Sequence, residues 1–195
     1  MPTADKYRVR IEPSDEPNKS EVYLTLSSIG EVVSGEMRLW QPQEKDFELE
    51  TEMLLTFMVF LGANESDAIS KIEKNNENTK ISIEVIESED DYATLVFPFN
   101  RNDSWRYLGW ALDEIGIDVE DRDLIDGSFF IKVTPNKGFF SSLISTIGSV
   151  KSYQLYIKQI DSSYSKVYFV DLAQENNQDT IDYSFELFKM ISSKF

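Results

Sequence analysis

Apolar and polar residues alternate in two stretches near the amino terminus. Tyr7, Val9 and Ile11 are separated by charged residues, and Val22 and Leu24 show the same period after the polar segment PSDEPNKS. A period of two puts alternate side chains on opposite faces of a strand, and a short polar turn between two such runs is typical of a hairpin. The pattern therefore predicts a β-hairpin.

A long apolar segment follows this hairpin. Asp46 can accept the first backbone N–H groups of a helix, acidic residues follow it, and Gly62 can end the helix. These signals at both ends predict a helix between them. Met53 lies on its main apolar face, but Leu55 and Val59 lie on the opposite side, so we expect the helix to need a second apolar partner surface.

The second half of the chain alternates between strand and helix patterns. Strands are predicted at residues 81–87, 93–99, 117–122, 128–133, 153–160 and 166–172. One amphipathic helix is predicted to start at Asp103 and end at Gly116, and a last helix to start at Asp179 or Thr180. This order predicts an α+β fold in which helices lie on an antiparallel sheet.

The hairpin and helix of the first half recur in the second half. Tyr7 corresponds to Tyr153, and the sequence SEVYL at Ser20 corresponds to SKVYF at Ser165. The second copy has strands and a helix before its hairpin, whereas the first copy starts at the hairpin. We therefore expect a partial first domain over 1–72, a linker with the polar sequence EKNNENTK over 73–80, and a complete domain over 81–195. The first domain has either lost an upstream part or is completed in another way.

Charge and composition exclude several kinds of chemistry. The 35 acidic and 19 basic residues give a net charge of −16, which excludes nucleic acid as a partner because phosphates require clustered cations. The chain has no His and no Cys, so it cannot build an imidazole acid–base site, a thiolate nucleophile or a disulfide. No segment approaches the roughly 18 apolar residues that span a bilayer, and no apolar run of signal-peptide length occurs at the amino terminus.

The most acidic stretch has five carboxylates between Asp118 and Asp126. A calcium loop starting at Asp121 would place Ile125 and Asp126 where an acidic ligand and a glycine are required, so the register fails. A carboxylate-pair hydrolase is a second hypothesis, but among 35 acids a nearby pair carries little information. We expect this stretch to be the solvated side of a strand with a turn at Asp126 and Gly127, and we predict no catalytic, cofactor or metal residue.

Two segments are candidates for a partner surface. Trp110 lies about 140° around its helix from Trp105, nearly opposite the apolar face, which favours either a contact with a partner or packing under a local loop. Phe139 and Phe140 begin the apolar segment Gly138 to Val150. This segment is interpreted as a lid over the sheet, a partner-binding edge or a short helix at a membrane surface.

Two longer stretches carry a resemblance to a known family. The sequence WRYLGWALDEIGIDVEDRDLIDGSFFIKV, followed by GFF, and the sequence WQPQEKDFELETEMLLTFMVFLGA resemble the BamC (NlpB) family of outer-membrane lipoproteins. Members are accessory subunits of the machinery, called BAM, that folds β-barrel proteins into the outer membrane. The resemblance implies two helix-grip domains, each a long helix packed on an antiparallel sheet, with the first one incomplete here.

The same resemblance implies a location and a partner. It implies a lipoprotein on the periplasmic side of the outer membrane that contacts the BamD subunit through an amino-terminal segment. The signal peptide, the lipidated Cys and that segment are not found in this sequence, so neither the anchor nor the BamD contact is assigned to a residue. The family implies no catalytic residue and no cofactor.

The resulting hypothesis is a non-enzymatic accessory subunit of the BAM machinery that acts through protein–protein contacts. The alternative is a module that binds a small apolar ligand in a cavity between helix and sheet, lined by residues such as Leu108, Phe129 and Leu155. Self-association is a further expectation, because the first helix is apolar nearly all round and the first sheet has an unfinished edge.

Overall fold

The computed structural model describes residues 2–14, 16–34, 37–75, 81–88, 91–133, 150–175 and 177–195. The chain divides into two compact units, Met1–Thr79 and Lys80–Phe195. Each unit contains an antiparallel sheet and helices, so the predicted α+β class of the helix-grip type is confirmed.

The described part of the first unit has a three-stranded sheet followed by two helices. Its elements are β1 (Thr3–Pro13), β2 (Ser20–Ser34), β3 (Met37–Pro42), α1 (Phe47–Phe60) and α2 (Glu65–Asn75). The strands pair antiparallel in the order β1-β2-β3, and Val9 lies opposite Leu24 in the predicted hairpin.

Two of these elements were not predicted from the sequence. Strand β3 is short and pairs with the second half of β2, which continues well beyond the predicted hairpin. Helix α2 starts after Asn64, whose side chain accepts a hydrogen bond from the backbone N–H of Ser66 at 3.0 Å. Because α2 extends to Asn75, the first residues of the predicted linker, 73–75, belong to a helix instead.

The predicted ends of α1 are confirmed. The Asp46 carboxylate accepts hydrogen bonds from the backbone N–H groups of Glu48 and Leu49, both at 3.0 Å. Gly62 follows the helix with a φ of 98°, a conformation that costs glycine little.

In strand β1 of the first sheet, two charged side chains are buried while two apolar neighbours are exposed. Val9 and Ile11 are 48% and 65% exposed, whereas Arg10 and Glu12 are 5% and 7% exposed. The Arg10 guanidinium pairs with the Glu12 carboxylate and lies over the Tyr23 ring, 4.0 Å from its centroid. These contacts compensate part of the cost of removing both charges from water.

In its described residues, the second unit has a six-stranded antiparallel sheet and two helices. Its elements are β4 (Glu84–Ile86), β5 (Thr94–Phe97), α3 (Arg101–Glu114), β6 (Asp118–Asp123), β7 (Ser128–Val133), β8 (Lys151–Gln159), β9 (Ser165–Asp171) and α4 (Gln178–Ser192). The strand order is β4-β5-β9-β8-β7-β6, so the hairpin β8-β9 lies in the middle of the sheet.

Both helices of this unit contribute to one contiguous apolar core with alternate residues of the sheet. The Trp105 ring of α3 lies 4.0 Å from the Phe129 ring of β7, centroid to centroid. From α4, Leu187 and Phe188 are fully buried. Trp105 is therefore a core residue, as its position on the apolar stripe predicts.

Both helices of the second unit begin earlier than predicted. The side chain of Asn100, not Asp103, caps α3 by accepting a hydrogen bond from the Asp103 backbone N–H at 3.0 Å. The side chain of Asn177, not Asp179 or Thr180, caps α4 by accepting one from the Thr180 N–H at 2.9 Å. An N-cap side chain bonds the N–H three residues further on, so each predicted start fell inside the first turn.

Candidate functional site

The acidic stretch forms strand β6 and the turn after it, as expected from the sequence. Lys132 Nζ donates a hydrogen bond of 2.8 Å to Glu120 Oε1 across the strand pair, and this bond lowers the pKa of Glu120. The Asp126 backbone N–H donates to Asp123 Oδ1 at 2.9 Å, and Gly127 follows with a φ of 85°. These carboxylates are thus engaged in pairing and turn formation.

A high content of acidic residues does not make a metal site, because a metal ion needs several ligands close to one point. Within the residues that the structure describes, no group of three or more Asp or Glu side chains lies close enough together to hold a metal ion. In the same ranges, no helix is both long and apolar enough to cross a bilayer.

Two buried tyrosines are the most strongly perturbed titratable groups of the second unit. The Tyr153 ring of β8 and the Tyr183 ring of α4 stack with centroids 5.5 Å apart. Burial raises the pKa of Tyr153 to about 12, and burial also raises the pKa of Tyr183. Both phenols are therefore neutral at physiological pH and act as packing groups.

Trp110 lies at the edge of the core, in a group of rings that we call the C-terminal aromatic cluster. The cluster consists of Phe97, Phe99, Tyr107, Trp110 and Phe195. The Trp110 ring contacts the last residue, Phe195, edge to face with centroids 5.4 Å apart, and remains half-buried. An aromatic ring in this position has one face in contact with the core and part of its surface available to another molecule.

The other candidate partner residues, Phe139 and Phe140, lie outside the described residues, as does the rest of the segment up to Ser149. The structure therefore does not test the lid, edge or membrane-surface interpretations of this segment.

The residues predicted to line an apolar ligand cavity have a different environment. Leu108, Phe129 and Leu155 are buried in the contiguous core. None of the three lines the cavity beside α4, so these side chains do not support the apolar-ligand alternative.

A cavity of about 660 Å³ lies between α4 and the segment that joins β4 to β5. The following residues line it: Glu87, Ser88, Ala93, Gln178, Ile181, Asp182, Phe185 and Glu186. The sequence alone does not reveal this cavity, because its two walls are about 90 residues apart in the chain. The available signal was the pair Asp182 and Glu186, which flanks Phe185 on one turn of a helix with an otherwise apolar face.

Comparison with known proteins identifies the family of the second unit. A family described as "Outer membrane protein assembly factor BamC-like C-terminal domain" matches residues 75–194. This match covers more than half of the chain and corresponds to the six-stranded sheet with α3 and α4.

Individual relatives extend the similarity towards the amino terminus. Outer membrane protein assembly factor BamC of Accumulibacter regalis is 32% identical over 184 residues, which cover 86% of this chain and 48% of that protein. The protein of the same name from Thiobacillus denitrificans is 32% identical over 131 residues, covering 66% of this chain and 34% of that protein. The one from Shewanella oneidensis is 24% identical over 139 residues, covering 71% and 38%.

The chain thus spans about half, or less, of the length of these curated relatives. The family match and the similarity to the Accumulibacter protein agree with the resemblance seen in the sequence stretches around Trp105 and Trp40. The chain belongs to the BamC family of outer membrane protein assembly factors.

Proposed function

We propose that this chain is a non-enzymatic accessory subunit of the outer-membrane β-barrel assembly machinery and that it acts through protein–protein contacts. Family membership supports the link to outer-membrane assembly. The observation that carries the contact role is the C-terminal aromatic cluster, in which Trp110 packs against the core yet keeps a minor part of its surface exposed. Rigid, partly exposed aromatic residues are the side chains that most often dominate protein interfaces.

The absence of enzymatic activity belongs to the same proposal. The acidic residues of β6 are used in a cross-strand bond and a turn, and the buried tyrosines have pKa values raised away from the range of acid–base catalysis. The chain has no His and no Cys to take over such a role.

Partners and location are proposed from the family. The partners are other subunits of the machinery, which by resemblance include BamD, on the periplasmic side of the outer membrane where the full-length protein is a lipoprotein. No residue of this chain is assigned to the BamD contact or to the anchor. Phe139 and Phe140 stay candidates for the same partner surface as Trp110. Self-association through the first unit is also proposed, because none of the residues of α1 is buried.

Site-specific cross-linking tests the contact role. With p-benzoylphenylalanine in place of Trp110, we expect a cross-linked product with a subunit of the assembly machinery in solubilised outer membranes, identified by mass spectrometry. The matched control places the same group at Tyr164, which is 49% exposed in the turn between β8 and β9. Equal cross-linking from both positions, or no subunit in the Trp110 product, would contradict the proposal.

A further inference from the structure

The cavity beside α4 has a preformed apolar floor. Ala93, Ile181 and Phe185 supply it, and the first two are almost completely buried. The Ala93 backbone N–H donates to Ser184 Oγ at 2.9 Å, and Ser184 Oγ donates to the Ile181 carbonyl at 2.7 Å. These bonds connect α4 to the residue that precedes β5, so the floor of the cavity is held in place without a ligand.

The rim of the cavity is acidic. Asp182 and Glu186 are one helical turn apart on α4, and Glu87, the residue after β4, also lines the cavity. Gln178 donates to Asp182 Oδ1 at 2.7 Å and adds no charge. The rim therefore has three carboxylates above an apolar floor, and the Lys189 ammonium near Glu186 offsets only part of their charge. This combination disfavours an anionic or a purely apolar ligand.

At the edge of the cavity, a lysine of the chain itself lies near both a carboxylate and an aromatic ring. Lys189 Nζ is 3.9 Å from Glu186 Oε1 and 5.8 Å from the centroid of the Phe185 ring. An ammonium group near both a carboxylate and a ring face benefits from charge pairing and from the ring quadrupole. Phe185 and Glu186 thus form a surface that accepts a cation.

The size of the cavity selects among cationic ligands. A volume of about 660 Å³ exceeds what a metal ion needs, and the described carboxylates are not grouped as metal ligands. Lysine and arginine side chains combine a long apolar stem with a cationic head, which matches an apolar floor under an acidic rim. A short stretch of a partner chain, rather than an isolated side chain, fills a volume of this order.

We infer that the cavity binds a lysine or arginine side chain presented by an extended, basic segment of a partner protein. The stem lies on Ala93, Ile181 and Phe185, and the cationic head pairs with Asp182, Glu186 and Glu87. This inference rests on the proposed function, because it assigns a site and a partner chemistry to the protein contacts proposed above.

Titration of the full chain with a peptide probe tests this inference. The probe is acetyl-Val-Arg-Val-Arg-Val-amide, and the control peptide has citrulline, which has the shape of arginine without its charge. We expect the arginine peptide to shift the backbone NMR signals of Ala93, Ile181 and Phe185, and the citrulline peptide to leave them unchanged. The inference would be overturned if both peptides shifted these signals equally. It would also be overturned if spermidine, at the same concentration as the arginine peptide, competed equally well for the cavity.

Paired variants separate the cavity from the general negative charge of the chain. Asp182→Asn with Glu186→Gln should weaken binding of the arginine peptide by at least about tenfold, because each lost carboxylate removes a charged hydrogen-bond acceptor. Glu48→Gln with Glu52→Gln on α1 changes the net charge by the same amount at exposed positions one turn apart. We expect this control to change the affinity by less than about twofold.

A separate substitution tests the aromatic ring of Phe185. Phe185→Leu keeps an apolar floor but removes the ring face, and should weaken binding by about threefold. Equal affinities for the two paired variants would contradict the inference, whatever the result for Phe185→Leu.

Peptide binding and the cross-link at position 110 together distinguish this inference from the function on which it rests. If the peptide does not bind but position 110 still cross-links to an assembly subunit, the cavity assignment is wrong and the proposed function stands. If neither the peptide binds nor the cross-link forms, both are wrong. If the peptide binds to the cavity and no assembly subunit is cross-linked, the cavity has its basic ligand but the proposed function fails.

Discussion

The two hairpin-and-helix units of this chain have matching sequence patterns but different environments. Helix α4 buries seven residues: Thr180, Ile181, Tyr183, Ser184, Leu187, Phe188 and Ile191. Helix α1, its counterpart, buries none. The Glu50 carboxylate of α1 accepts a hydrogen bond from the Leu26 backbone N–H of β2 at 2.9 Å, so a polar contact connects this helix to its sheet.

Corresponding strand positions differ in the same way. If Tyr7 matches Tyr153, then Ile11 of β1 matches Ile157 of β8. Ile11 is 65% exposed and Ile157 is 1% exposed. In the second unit, β7 and β5 extend the hairpin on both sides and α3 covers it, whereas β1 has no second neighbour among the described strands. A strand pattern thus determines which side chains share a face, but neighbouring elements determine whether that face is buried.

The largest expected effect is a difference in stability. Replacing isoleucine by alanine should lower the free energy of unfolding much more at position 157 than at position 11. Ile157→Ala should lower the free energy of unfolding of the second unit by about 2–5 kcal/mol, because it leaves a cavity in a closed core. Ile11→Ala should change the free energy of unfolding of the first unit by less than about 0.5 kcal/mol. Urea titration followed by hydrogen exchange of each unit measures both, and equal losses would contradict the comparison.

A smaller effect is expected from the buried phenols of the second unit. The pKa of Tyr153 is about 12 in the folded chain, against 10.0 for an unperturbed phenol. A raised folded pKa means that the contribution of this residue to stability is complete below pH 10.0 and is lost as the pH rises towards about 12. Tyr153→Phe should make the second unit more resistant to alkali in this window.

Absorbance of the phenolate and circular dichroism, followed together from pH 9 to 13, measure this effect. The matched control is Tyr7→Phe, at the corresponding position of the first unit, and it should leave alkaline unfolding of the second unit unchanged. An unchanged alkaline midpoint for Tyr153→Phe would show that this phenol does not contribute to the pH dependence.

The smallest expected effect concerns association through the apolar surface of α1. Phe60 is 82% exposed at the end of this helix. If α1 self-associates, light scattering should give a mass that rises with concentration above 22.5 kDa, and Phe60→Asp should return it to that value. Ile125→Asp in the turn of the second unit is the control and should change nothing. A mass of 22.5 kDa at all concentrations would exclude self-association.

Much of the local structure follows from the sequence. The cap at Asp46, the stop at Gly62 and the turn at Gly127 were all predicted, because each depends on backbone groups within a few residues. The predicted starts of α3 and α4 lie up to one turn too late, because an acidic or hydroxyl residue inside the first turn resembles the caps, which are Asn100 and Asn177. Strand β3 was missed because its pairing with the far end of β2 is a long-range property.

The candidate sites followed from the sequence in part. Trp110 was identified from its position on the helix, but its contact with Phe195 joins two residues that are distant in the chain. The cavity had no sequence signal beyond Asp182 and Glu186, since Glu87 comes from another element. A site assembled from separate elements requires the pairing of those elements to be known first.

The sequence by itself determined the order of strands and helices in the second unit, the repeated hairpin, and the exclusion of imidazole and thiol chemistry, since these depend on residue identity and short spacing. The tertiary structure decided which faces are buried. Burial depends on neighbours far apart in the chain. These neighbours close the core around Ile157, leave Ile11 exposed, and form the acidic cavity between α4 and the segment that joins β4 to β5.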